Sequence, residues 1–284
     1  MSWYQWVHNA YIRLSKLFNN SYIRNEIEIL FCRVMGVSLS EFILYSDTLL
    51  TNIQLIKLES FLIRRENFEP IAYIFGEQEF WSLKLFVSYD TFIPRFDTEC
   101  LIEQSLKLVT LNDAKVLDLG TGSGAIALSL ASEKPNWQIF AADCSLDALV
   151  IAKKNALNLG IKNVVFFHSN WFESLDIKLY DLIVSNPPYI SFKEFNFLNK
   201  EIFYEPRCSL LSLNNGLLDL EVICLNANNY LVPGGWLILE HGCNQGVAVR
   251  SFFNRGVFSN ISTIKDYCNN DRVTQGQKVI FNKT

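Results

Sequence analysis

The sequence predicts an α/β protein in which a doubly wound, mainly parallel sheet follows a small helical domain. Three observations predict it: helical punctuation before residue 68, a short stretch rich in Phe, Tyr and Val after Pro70, and regular alternation of apolar runs with helix-like stretches from about Lys115 onward. Alternation of the last kind builds parallel sheets, because two parallel neighbours need a crossover between them and the crossover is usually a helix.

In residues 1–68, Ser38-x-x-Glu41 and Thr51-x-x-Gln54 have the capping-box form, in which two side chains satisfy free amides of a first helical turn. After Thr51, Leu55, Ile56, Leu58, Phe61 and Leu62 recur at roughly helical spacing, leaving Lys57, Glu59, Arg64 and Arg65 to face water. The aromatic residues Trp3, Tyr4, Trp6, Tyr11 and Phe18 are read as core rather than as a binding stripe. From Ile71 to Ile93 the short apolar runs read as one or two extended strands, so residues 69–93 are taken as a β connection and 94–284 as the main domain. Strands are expected at Val116–Leu119, Trp137–Asp143, Asn163–His168, Tyr180–Ser185, Gly235–Glu240 and Lys278–Phe281. One helix follows the first strand as far as about Glu133, and another runs from a Ser145 cap to a Gly160 stop.

Two domains suit 284 residues, and 50% hydrophobic with 19% charged residues supplies a proper core. A net charge of −4 and a pI near 5.5 argue against holding nucleic acid by broad phosphate neutralisation. The seven cysteines are scattered, without a Cys-x-x-Cys pair, and His8, His168 and His241 are not at zinc-ligand spacing; free thiols and no metal are expected. The amino-terminal residues Met-Ser-Trp-Tyr-Gln-Trp do not resemble a secretion signal, and no uncharged apolar stretch approaches a membrane span. The expectation is a cytoplasmic monomer without a membrane partner.

The first strand runs into Asp118-Leu-Gly-Thr-Gly-Ser-Gly124, where a strand gives way to a helix. Glycines there let the chain turn tightly and let a ligand lie against bare backbone. Asp143 closes the second strand, where a carboxylate can accept ribose hydroxyls of an adenosine. A tight turn alone would account for the glycines but not for Asp143. Gly120-x-Gly122-x-x-Ala125 also satisfies the dinucleotide fingerprint, so these residues leave a nicotinamide, a flavin and S-adenosylmethionine open.

Asn186-Pro187-Pro188-Tyr189 follows the strand-like run Tyr180–Ser185, at the carboxyl end where open parallel sheets bind ligands. Two prolines remove two donors and stiffen the loop, leaving carbonyl oxygens to accept. Such a loop suits a planar NH2 group. The Asn186 side-chain oxygen and the Pro187 carbonyl can take its two protons while Tyr189 packs on its plane. Transfer of a methyl group to the nitrogen then depends on positioning more than on acid–base groups. An ordinary Asn-Pro turn does not explain this tetrapeptide beside a glycine-rich loop.

Together with Glu69-Pro-Ile-Ala-Tyr73, Phe80-Trp-Ser-Leu83, Ile93-Pro-Arg95 and Leu239-Glu-His-Gly242, these two motifs closely resemble the release factor glutamine methyltransferases, the HemK or PrmC family. The resemblance covers nearly the whole chain. It implies a Rossmann-like class I methyltransferase domain of seven strands, the last antiparallel, behind a small all-α domain. It further implies S-adenosyl-L-methionine as cofactor and, as acceptor, N5 of the glutamine in the Gly-Gly-Gln loop of class-1 peptide chain release factors. By position Gly120, Thr121, Gly122, Ser123, Gly124, Asp143, Trp171 and Asn186 would hold the cofactor, with Trp171 at the adenine. Asn186, Pro187, Pro188 and Tyr189 would hold the glutamine, with Asn186, Pro187 and Tyr189 carrying catalysis.

Two positions depart from the family pattern: Asn170 stands where an acid often precedes the tryptophan, and Phe96 where a proline commonly follows Ile-Pro-Arg. Arg95 and Glu99 are read either as lining the acceptor channel or as surface salt bridges. Glu240-His241 is set aside as the main acid–base pair, and Cys100 and Cys144 show no activating neighbours. Three rivals stand beside the main reading. An adenine N6 methyltransferase of DNA or RNA would use a similar loop but favours a basic recognition region, which the chain lacks. A ribosomal protein glutamine methyltransferase differs chiefly in its amino-terminal half, and a non-catalytic cofactor binder would not need Asn186 to Tyr189.

Overall fold

The computed structural model describes residues 1–18, 22–175 and 179–280. They form two units, Met1–Phe75 and Gly76–Thr284.

The first unit is helical: α1 (Trp3–Leu14), α2 (Ile23–Met35), α3 (Leu39–Leu44), α4 (Asn52–Glu66) and α5 (Ile71–Phe75). Both expected capping boxes are present, Ser38 with Glu41 and Thr51 with Gln54, and Ser2 with Gln5 makes a third. Trp6, Val7, Leu14, Ile27, Leu30, Phe31, Leu58 and Leu62 form its buried core. Four readings are corrected. Ile56, grouped by spacing with the apolar stripe of α4, is 72% exposed, the inner face being carried by Leu58 and Leu62. Tyr4 and Tyr11, two turns apart on α1, are exposed, because Trp3, Trp6, Val7 and Ala10 already supply its inner face. Arg65 is buried rather than solvated: its guanidinium pairs with Glu26 and lies 3.9 Å from the Phe18 ring. Ile71–Phe75 is helix, not strand, since Pro70 occupies a helix start, where a missing amide costs nothing, and its carbonyl accepts from Tyr73 and Ile74.

The second unit opens with a hairpin, β1 (Glu77–Phe80) and β2 (Leu83–Phe86), joined by Trp81 and Ser82 at φ of 49° and 60°. Then follow α6 (Glu99–Leu108), β3 (Lys115–Leu119), α7 (Ala125–Glu133), β4 (Gln138–Asp143), α8 (Leu146–Leu159), β5 (Val164–His168) and β6 (Tyr180–Ser185). Beyond β6 come short α9 (Phe192–Phe195) and α10 (Leu213–Gly216), α11 (Leu218–Ala227), β7 (Leu231–Glu240), α12 (Gly246–Arg255), β8 (Phe258–Lys265) and β9 (Asp271–Lys278). The large sheet has the order β5-β4-β3-β6-β7-β9-β8, parallel except for β9, which runs against both of its neighbours.

Two apolar layers cover the sheet. Val116 lies in one with Ile126, Leu128 and Trp137, while its neighbour Leu117 lies in the other with Leu220, Leu237 and Phe253, the alternation a pleated strand requires. Strand order reverses between β3 and β6, so the loops following these two strands open side by side at their carboxyl ends. The Gly120 loop follows one and Asn186 the other. The strand expected at Lys278–Phe281 is displaced: β9 ends at Lys278, Phe281 lies outside the described residues, and β8 was not anticipated. These strands carry little apolar sequence. Thr274, buried on β9, is satisfied by His241 and Thr263 rather than by oil-like packing.

Candidate active site

The turn after β3 is set by its glycines. Gly120, Gly122 and Gly124 have φ of 71°, 56° and 86°, a region that side-chain-bearing residues avoid. The Gly120 and Thr121 amides donate to the Ala142 carbonyl on β4, which ties the loop to the next strand. A Cβ at Gly120 would rest against the Trp171 ring at 3.5 Å, whereas at Gly122 it would meet nothing within 4 Å, so of the two it is the Gly122 backbone that faces open space. Gly124 has a different task. It caps α7, and a Cβ there would come within 2.9 Å of Leu128, so its glycine serves helix packing. Beneath the loop the buried Asp118 accepts from the Thr121 hydroxyl (2.7 Å) and the Ala127 amide (3.2 Å), and loss of water pushes its pKa up to about 7.

Asp143, at the end of β4, accepts from the Gly122 amide through Oδ2 and from the Ser145 amide through Oδ1, both at 2.8 Å. Each oxygen keeps a second lone pair for a ligand. Trp171 is held at φ 48° with its indole N–H on Asp219 at 3.0 Å, which turns the ring edge toward Gly120. Asn170 is exposed and donates to Glu173; it does not reach the cleft. Phe96 is exposed and packs on the Tyr267 ring.

The loop after β6 shares the cleft. One cavity is lined both by Gly120, Thr121, Gly122, Ser123, Asp143 and Trp171 and by Asn186, Pro187, Pro188 and Tyr189. The Asn186 side-chain amide donates to Thr98 Oγ1 at 3.2 Å, which leaves Oδ1 to accept. The Tyr189 hydroxyl donates to Glu240 Oε1 at 3.1 Å, and its carbonyl accepts from Gln245 at 2.9 Å. Both ends of the tetrapeptide are therefore fastened from outside it. Burial and the neighbouring Glu240 raise the Tyr189 pKa, so the phenol stays neutral.

Thr98, Glu205 and Gln245 were not singled out from the sequence. Glu205, nearly buried, accepts from the Ile93 amide at 3.1 Å and pairs with Arg95, which itself lines the cavity. Glu99 does not line it; its carboxylate accepts from the Trp81 amide. Glu240 is buried, and desolvation raises its pKa to about 7 against the pull of Thr98, Arg272 and Tyr189. His241 is fully buried between the Gly242 carbonyl and Thr274, and burial lowers its pKa, so it is a neutral structural side chain. Cys100 is pushed up to about 11 by burial; Cys144, also raised by burial, lines the cavity as an unactivated thiol. Among the described residues no cluster of three metal-ligating side chains occurs, and no helix is long and apolar enough to cross a membrane.

A seven-stranded sheet with one reversed strand and a glycine loop beside an Asn-Pro-Pro-Tyr loop defines a methyltransferase, and residues 96–212 match the family described as the methyltransferase small domain. Residues 5–76 match the PrmC N-terminal domain. The release factor glutamine methyltransferase of Buchnera aphidicola subsp. Schizaphis graminum is 49% identical over 273 residues, covering 96% of this chain and 98% of that protein. Its Escherichia coli K12 counterpart is 42% identical over 277 residues, 98% and 99% of the two chains. The crystal structure of a ribosomal protein L11 methylase from Lactobacillus delbrueckii subsp. bulgaricus superposes with a TM-score of 0.50 at 16% identity, covering 66% of this chain and 81% of that one, which speaks to the fold alone. The chain belongs to the release factor glutamine methyltransferase family.

Proposed function

We propose that this enzyme transfers the methyl group of S-adenosyl-L-methionine to N5 of the glutamine in the Gly-Gly-Gln loop of class-1 peptide chain release factors, in the cytoplasm and as a monomer. One observation carries the reading: the glycine loop, Asp143, Trp171 and Asn186 to Tyr189 all line the same cavity. The residues present fit the cofactor. Bare backbone at Gly122 admits close approach, Asp143 keeps lone pairs for two ribose hydroxyls, and the Trp171 ring, lying against Gly120, offers an apolar surface for an adenine. When bound, S-adenosyl-L-methionine supplies an electrophilic methyl group on a sulfonium.

The chain's own residues do the positioning. Asn186 Oδ1 and the Pro187 carbonyl, to which none of the described residues donates, accept the two N–H bonds of the substrate amide. Thr98 fixes which way the Asn186 amide faces, and Glu240 and Gln245 hold Tyr189 against the amide plane. Held in this way, the nitrogen presents its lone pair along the line of transfer, and the proton it carries is shed after the methyl arrives. A prior general base is unnecessary. The PrmC N-terminal match over residues 5–76 supports a release factor over a ribosomal protein as acceptor, and a net charge of −4 speaks against DNA or RNA. Incubation with labelled cofactor and, separately, a class-1 release factor, its Gln→Ala loop variant, ribosomal protein and DNA tests the reading. Label is expected in the intact release factor alone; label in DNA or ribosomal protein at a comparable rate overturns it.

A further inference from the structure

The cavity has a rim that the methyl-transfer chemistry does not use. Arg95 lines it beside Thr91, Phe92 and Pro94, in the same cavity as Asn186 to Tyr189. Its guanidinium is held from two sides. Glu205, whose side chain is 1% exposed, takes one N–H on Nη2 and also takes the Ile93 amide, and the Phe92 ring lies 4.8 Å from Arg95 Cζ. The Arg95 side chain nonetheless remains 39% exposed, and none of the described residues accepts from its Nε or Nη1. A guanidinium carries five donors in a rigid fork, so most of them stay available at a site from which the usual entropy of a loose arginine has already been removed.

What such a group meets in this cleft follows from the acceptor. A glutamine side chain reaches the amide pocket only if its own backbone comes down to the rim, and a loop of the Gly-Gly-Gln kind brings carbonyl oxygens with no side chains to shield them. The lining is mainly apolar, and a carbonyl pushed against it without a donor loses its water for nothing. We propose that Arg95, steadied by Glu205, is a substrate-binding residue that donates to main-chain carbonyl oxygens flanking the acceptor glutamine, so that the enzyme recognises peptide backbone rather than a bare amide. This rests on the glutamine acceptor named above. Glu205 is a positioning residue: it acts through Arg95 and through the loop amide of Ile93.

The test compares two small acceptors, acetyl-Gly-Gly-Gln-amide and butyramide, the latter carrying the primary amide without a peptide backbone, alongside the intact release factor. Wild-type enzyme is expected to favour the peptide over butyramide in kcat/KM by roughly tenfold or more, the worth of one hydrogen bond to a charged donor. Arg95→Met should erase that preference and raise KM for the release factor by a similar factor. Cofactor affinity by calorimetry should stay within about twofold, and Arg95→Lys should recover part of the loss. Glu205→Gln, which keeps an acceptor for Ile93 but drops the charge, should fall between. If Arg95→Met keeps the wild-type preference for peptide, the assignment is wrong. It is equally wrong if the variant loses cofactor binding or thermal stability in step with activity, since Arg95 would then be structural. A wild-type enzyme that labels neither the release factor nor the peptide would instead overturn the proposed function itself, and leave a different signature.

Discussion

Asp143 and Asn186 line one cavity, and their bonds assign them to different halves of the reaction. Asp143 already spends one lone pair of each oxygen on the Gly122 and Ser145 amides, so what it offers a ribose is a charged acceptor held in place. Asp143→Ala should weaken cofactor binding by about 1–3 kcal/mol. Asn186→Ala, which removes the acceptor's partner and a bond to Thr98, should retain much of its cofactor affinity while losing most turnover. Calorimetry and single-turnover transfer on both variants check this; an Asn186→Ala enzyme with near-normal turnover would remove that residue from the chemistry.

Glu240 makes a second prediction at the same scale. Its Oε1 accepts from Tyr189, its Oε2 is buried, and its pKa rises from 4.5 to about 7 on folding. Below pH 4.5 the carboxyl is protonated in folded and unfolded chains alike. Between there and about 7 the unfolded chain gives up the proton and the folded one keeps it, so raising the pH through this window favours unfolding. Above about 7 both states are ionised and the slope disappears. Asp118, raised from 3.8 to about 7, adds a slope of the same sign. Glu240→Gln keeps an acceptor for Tyr189 and cannot ionise, so the loss of stability between pH 5 and pH 8, read by urea denaturation, should shrink. An unchanged loss would mean that Glu240 is ionised throughout and that the solvation argument fails.

At the scale of elements, the tetrapeptide loop is built by residues far away in sequence. Gly216, at the end of α10 with φ 82°, passes so close to this loop that a Cβ would lie 2.1 Å from the Tyr189 carbonyl oxygen. Gly216→Ala should therefore displace Tyr189, destabilise the fold by roughly 1–3 kcal/mol and cut turnover more than cofactor affinity. Thermal denaturation and calorimetry separate these effects, and full activity in a stable variant would show that the loop tolerates the shift. This dependence also explains what the sequence hid. The Gly120 loop, Asp143 and Asn186 to Tyr189 were legible because each sits at or just past the end of a strand whose apolar run announces it. Thr98 and Gln245 act across gaps of 88 and 56 residues, and nothing local marks them. Likewise β9 fills two of its three buried positions with Thr274 and Gly276, and half-buried Thr263 of β8 bonds to Thr274, so hydrophobic periodicity had little to register. Ile71–Phe75 misled in the other direction, being apolar enough for a strand but placed after a proline that starts a helix.

At the scale of the whole molecule, the amide pocket sees only a side chain and its nearest backbone, which is too little to tell one protein from another. Discrimination needs contacts far from the reacting nitrogen, and interactions of that kind can serve catalysis as well as affinity. The Met1–Phe75 unit has the means to provide them. It carries a core of its own and still leaves Leu44, Leu49, Ile53 and Ile56 at 76%, 71%, 80% and 72% exposure, the last two one turn apart on α4. Apolar side chains left in water on a well-packed helical unit are a common mark of a protein-binding face. The prediction is that a chain beginning at Gly76 keeps its cofactor affinity but methylates an intact release factor less efficiently by one to two orders of magnitude, about 1.4–2.8 kcal/mol in kcat/KM. Ile53→Glu together with Ile56→Glu in the full-length chain should reproduce part of that loss without disturbing the core. A short Gly-Gly-Gln peptide should be a poor substrate for every form, and truncation should leave its kcat/KM nearly unchanged, because the peptide has no distant surface to lose. The measurement is kcat/KM on whole factor and on peptide for the three enzymes, with circular dichroism to show that each is folded. A folded Gly76–Thr284 enzyme that treats the whole factor as the full-length chain does would strip the helical unit of this role and move the recognition of the protein entirely onto the catalytic unit.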